Sequence, residues 1–75
     1  MTLDDRGIRP GDEVFISPGA GIHGHGCWWA EVVSTMPGLV PGNIYIRVVP
    51  LDNPDAAPKV YYARTDGLLV NKRPS

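Results

Sequence analysis

The chain has 75 residues, a formal net charge of −1 and a single cysteine. That length limits it to one domain, spanning 1–75, and excludes an enzyme with its own deep cleft unless subunits share a site. One cysteine excludes an internal disulfide, and seven basic against eight acidic residues, scattered along the chain, argue against a surface built to grip phosphates.

No apolar run approaches the ~20 residues needed to span a bilayer, so no membrane partner is expected. The first residues, Met1 to Glu13, are acidic and lack the apolar centre of an export signal. A free cysteine without such a signal points to a reducing, cytoplasmic setting. The compact length suits an accessory protein of a bacterium, plasmid or phage.

Nine glycines and eight prolines break the chain too often for long helices. Short runs of valine, isoleucine and aromatics lie between the breakers, which is the signature of strands. An N-terminal arm, 1–8, leads to a Pro10-Gly11 turn and a first strand over Asp12–Ser17. Strand periodicity puts Val14 and Ile16 on one side and Phe15 on the other. A glycine-rich loop, Pro18–Gly26, leads into a second strand, Trp28–Thr35. Trp28, Ala30 and Val32 share its inner face, and Glu31 marks the other face, with Trp29 and Val33, as outside. After the turn MPGLVPGN comes a third strand, Ile44–Leu51, with Ile44, Ile46 and Val48 inward and Tyr45, Arg47 and Val49 outward. The polar, proline-rich DNPDAAPK predicts an exposed hairpin end. A fourth strand covers Val60–Ala63, ARTDG predicts a tight 3₁₀ turn, and Leu68–Val70 forms the last strand before a frayed tail, 71–75. The expected core is Val14, Ile16, Ala30, Val32, Ile44, Ile46, Val48, Val60 and Leu69. The fold class is therefore all-β, a small five-stranded barrel with one long first loop.

Three groups of residues carry possible chemistry. In GAGIHGHGCWW, His23, His25 and Cys27 alternate, so an extended strand would set all three on one face, where imidazole and thiolate are good zinc donors. The competing reading is a glycine-rich loop running into a strand, with Cys27 a small apolar residue at the strand start. A Cys27–His25 nucleophilic pair has no identifiable orienting group, so no catalytic residue is assigned. The second group is aromatic and aliphatic: Phe15, Trp29, Tyr45, Val33, Val49 and Tyr61 are expected to face outward. Together they would form an apolar patch that binds a protein or peptide partner, or a second copy of the chain. Trp28, Trp29, Tyr61 and Tyr62 are also the rings from which a cage for a methylated cation would be built. The third group is basic. Arg47, Lys59, Arg64, Lys72 and Arg73 would line one edge for RNA or DNA, with bases stacking on Trp29 or Tyr45. Glu31 is expected beside Arg47, where the two would pair and neutralise one another.

Arg9-Pro10-Gly11-Asp12-Glu13-Val14, Trp28-x-Ala30-x-Val32 and the Leu68-Leu69 pair after a 3₁₀ turn resemble the SH3-like barrels of the KOW and Tudor type over residues 9–71. The resemblance implies a five-stranded, strongly bent antiparallel barrel. It is also similar to the type II dihydrofolate reductases, SH3-like barrels that assemble as tetramers around a shared pore. Here Val60-Tyr61-Tyr62-Ala63 stands where those enzymes carry Val-Gln-Ile-Tyr, so the glutamine and isoleucine that meet cofactor and substrate are absent. The expected function is a non-catalytic interaction module that binds a protein or peptide through an exposed aromatic surface and the glycine-rich loop. A nucleic-acid-binding module and an oligomeric barrel enzyme are the alternatives.

Overall fold

The computed structural model describes residues 7–72. Five antiparallel strands form one sheet: β1 (Glu13–Ile16), β2 (Trp28–Pro37), β3 (Asn43–Pro50), β4 (Lys59–Arg64) and β5 (Val70–Asn71). Their order across the sheet is β4-β3-β2-β1-β5. The sheet is not closed, so β4 and β5 are its two edges. Two 3₁₀ turns lie between strands, one over Pro18–Ala20 in the first loop and one over Thr65–Gly67 between β4 and β5.

The inner side of the sheet is set by strand periodicity. Val14 and Ile16 on β1, Ala30 and Val32 on β2, and Ile44, Ile46 and Val48 on β3 are all buried, as their alternation predicts. Loop residues Ala20 and Ile22, and Leu68 after the second turn, close over this side, and Ile8 joins the same cluster from the N-terminal side. Burying each of these larger side chains contributes about 1.5–3 kcal/mol. A one-residue slip of any central strand would therefore expose several at once.

Two residues of the predicted core, and one predicted to face outward, differ. Val60 is 55 % exposed, and Tyr61 takes the inner position. The register explains it: Tyr61 lies opposite Ile46 and Ala63 opposite Ile44, so Val60 and Tyr62 point outward. Leu69 is 61 % exposed and Leu68 is buried in its place. The chain leaves the second 3₁₀ turn at Leu68, and β5 begins only at Val70, opposite Val14. Val49 shares the outward side of β3 with Tyr45 and Arg47, yet it is buried, apart from the central cluster.

β2 runs to Pro37, and its pairing with β3 shifts between Val32 and Ser34. This bulge lets Val32 stay inside opposite Val48 while Ser34 faces outward opposite Arg47. Glu31 accordingly stands opposite Val49, and no ion pair joins it to Arg47.

Asp12 is the buried charge among the described residues, at 5 % exposure. Its carboxylate accepts the Arg9 N–H at 3.0 Å and pairs with the Lys72 ammonium at 2.6 Å. Lys72 also donates to the Gly7 carbonyl. Asn71 pairs with Glu13 in the sheet, and its amide donates to the Glu13 carboxylate at 3.0 Å. The expected frayed tail is thus tied down at its first two positions, Asn71 by Glu13 and Lys72 by the Asp12 of the Pro-Gly-Asp turn. The rest of the predicted arm and tail, 1–6 and 73–75, with Arg73 among them, lies outside the described residues.

Candidate binding cleft

At one end of the sheet, β2 begins, β3 ends and β4 begins. A cleft of about 510 Å³ opens there, within the size range that holds small ligands or an inserted side chain. Its walls come from four segments: His25 from the first loop, Trp28 and Trp29 from β2, Pro50 to Asp52 from the end of β3, and Lys59 and Tyr61 from β4.

The rings converge because each is fixed by its own element. Trp28 sits at the start of β2 on the inner side, half-buried against the core. Its indole N–H donates to the His25 carbonyl at 2.9 Å, which holds the loop over the strand. The His25 ring meets Tyr61 edge-on, with centroids 5.0 Å apart at 65°. Trp28 approaches the same tyrosine at 6.2 Å and 69°. Tyr61 is therefore the shared floor of two aromatic contacts, an arrangement that favours ring edges against ring faces.

Its hydroxyl is the polar oddity of the site. Tyr61 is 8 % exposed, and its oxygen is buried without a hydrogen-bond partner. Burial pushes the phenol above its ordinary value, so it stays neutral and able both to donate and to accept. Leaving such a group unpaired costs about 1–3 kcal/mol. Asp52 and Lys59 stand exposed at the mouth with opposite charges.

The outward residues expected to form one patch form two. Phe15 is half-buried against Trp29, ring centroids 5.2 Å apart, and Trp29 is 40 % exposed. Tyr45 is half-buried against Tyr62, at 4.7 Å. The Leu51 N–H donates to the Trp29 carbonyl, so Trp29 lies level with the far end of β3. Along that strand Tyr45 and Leu51 are roughly 20 Å apart. Val33 is exposed at the bulge, whereas Val49 is buried on the outward side and Tyr61 on the inner side. Of the four rings considered for a cage, Trp28, Trp29 and Tyr61 line the cleft and Tyr62 lies on the other side of β4. The third ring that packs with Trp28 and Tyr61 is His25, a contact between distant segments that spacing in sequence does not reveal.

His23, His25 and Cys27 are all exposed, but the segment that carries them is not a strand. Gly24 and Gly26 have φ of 82° and 76°, which turns the chain at each step and breaks the alternation that would align the three donors. Among the described residues, no group of three His, Cys, Asp or Glu side chains is gathered to hold a metal ion. Among them, too, no helix is long and apolar enough to cross a membrane.

No protein-family model matches the chain, and no curated protein or solved structure matches it.

Proposed function

We propose that this protein is a non-catalytic interaction module on a small SH3-like barrel, and that its partner is a protein or peptide segment bound in the aromatic cleft. The strand order, the 3₁₀ turn ahead of β5 and the Pro-Gly-Asp turn ahead of β1 support the barrel reading. One observation carries the site: the His25, Trp28 and Tyr61 rings meet at one cleft, and the Tyr61 hydroxyl is buried without a partner. A partner that inserts an apolar or aromatic side chain gains burial against three rings. Where the occupant parts the rings that close the phenol off from solvent, a carbonyl oxygen of the same segment would accept the orphaned proton. Both gains are absent in the unbound protein, which is what makes the cleft a place for recognition.

Selection of a random displayed peptide library on the intact protein tests this. Enriched peptides are expected to shift the Trp28 and Trp29 indole signals and the His25 amide in NMR spectra. His25→Ala removes a ring and leaves the carbonyl that holds Trp28, so it should weaken those peptides roughly three- to tenfold. Enriched peptides that leave the three signals unmoved would refute the site.

A further inference from the structure

The side of β3 and β4 that faces away from the core carries a different chemistry. Its rows follow from the sheet register. Ser34, Arg47 and Val60 stand side by side across β2, β3 and β4. Met36, Tyr45 and Tyr62 form the next row, and Asn43 and Arg64 the row after that. Met36, Val60 and Tyr62 are exposed at 59 %, 55 % and 37 %. The face is thus an apolar centre with an arginine at each end, Arg64 with its stem beside Gly21 of the first loop, and no carboxylate stands in these rows.

We infer that this face is a second docking surface, and that it takes an extended acidic segment of a protein partner, carrying an apolar residue with a carboxylate two positions to either side. Arg47 lies level with Val60, so four residues of strand and one inter-strand step separate it from Arg64. With a rise of ~3.4 Å per residue and strands ~4.8 Å apart, that separation is roughly 14 Å. Two side chains at i and i+4 of an extended chain are also roughly 14 Å apart, and the residue at i+2 points to the same side. Such a segment sets its carboxylates on Arg47 and Arg64 and its apolar side chain over the Tyr45–Tyr62 pair.

The charges nearby leave room for it. Asp66 reaches Arg64 at 3.7 Å, but both side chains are more than 60 % exposed, so an incoming carboxylate can compete. Glu31 lies one row beyond Arg47 on β2, opposite Val49, and makes no ion pair with it. A second copy of this chain would bring arginines to a face that already holds two. A nucleic-acid strand would satisfy the arginines and stack on the tyrosines, but would leave Met36 and Val60 against a charged backbone.

The test is an NMR titration of the ¹⁵N-labelled full chain. The probe is a synthetic peptide of alternating threonines with glutamate, valine and glutamate between them; a control carries lysine for both glutamates. The amides of Arg47, Val60 and Tyr62 should shift with the glutamate peptide and not with the lysine one. Arg47→Glu combined with Arg64→Glu changes two exposed side chains. It should weaken the glutamate peptide roughly five- to tenfold and turn the preference toward lysine. No shift at millimolar peptide, or an equal response to both peptides, overturns the proposal. So do shifts at the Trp28 indole in their place, which would return the peptide to the cleft. Oligothymidylate moving the same amides at lower concentration would make the face a nucleic-acid surface, and shifts that follow protein concentration alone would make it a self-association surface.

Discussion

Tyr61 and Tyr62 are adjacent in sequence and lie on opposite sides of β4. Tyr61 is inside, level with Ile46, beneath the His25 and Trp28 rings, with its hydroxyl unpartnered. Tyr62 is outside, against Tyr45, with more than a third of its surface in solvent. The same side chain is thus core and cleft floor in one position and surface in the next. The difference teaches why the proposed recognition site lies where the core reaches the end of the sheet. There a ring is already held rigid by packing, and only its polar tip is left to satisfy.

Truncation should separate the two most strongly. Tyr61→Ala is expected to cost about 3–5 kcal/mol, as for other buried aromatics. Tyr62→Ala should cost about 0.5–1.5 kcal/mol, the worth of a surface ring pair. Urea unfolding of both variants measures the gap, and equal costs would mean that the inside–outside assignment of β4 is wrong.

The next effect concerns how the loop reaches Tyr61. A methyl group built on Gly67 would lie 2.2 Å from the Gly19 carbonyl, where the two 3₁₀ turns meet. Gly67→Ala must push those turns apart, at about 1–3 kcal/mol. Because the first turn leads to the His25 segment, the same variant should loosen the His25–Tyr61 contact while leaving Tyr45–Tyr62 unchanged. Nuclear Overhauser contacts within each ring pair would report this.

A smaller effect appears in alkali. The unfolded phenol loses its proton near pH 10. In the fold Tyr61 holds its proton more tightly, because burial disfavours the phenolate. Above about pH 10 the unfolded state therefore gives up a proton that the folded state keeps, and stability falls as pH rises toward the folded value. Below about pH 10 this contribution is constant. Denaturation midpoints from pH 8 to 11 should show the fall in the wild type and a shallower one in Tyr61→Phe.

Much of the sheet is legible in the sequence. Alternation in WWAEVV and IYIRVV is marked by Glu31 and Arg47, which fix the outer side, while VFIS shows alternation alone, and the inner residues of β1, β2 and β3 follow from it. VYYA carries no such mark, and all four side chains are compatible with burial. The register against Ile44 and Ile46 decides it, and that register is a long-range contact. Leu68-Leu69 is ambiguous for the same reason, since only the length of the 3₁₀ turn determines which leucine reaches the core. The cleft was half legible. Trp28 on the inner phase at a strand start is a visible signal, whereas His25 reaches Tyr61 through two glycine turns that no periodicity encodes. Those same turns undo the alignment of His23, His25 and Cys27 that a strand would give.

The most direct test of the cleft is Tyr61→Phe, followed in stability and in affinity for a library-selected peptide. Removing an unpartnered buried hydroxyl should leave the fold as stable or roughly 1 kcal/mol more so. It should weaken the peptide roughly tenfold, since the hydroxyl is the donor the ligand completes. A variant that binds as tightly as the wild type would contradict the account, because the orphaned phenol would then have no part in recognition.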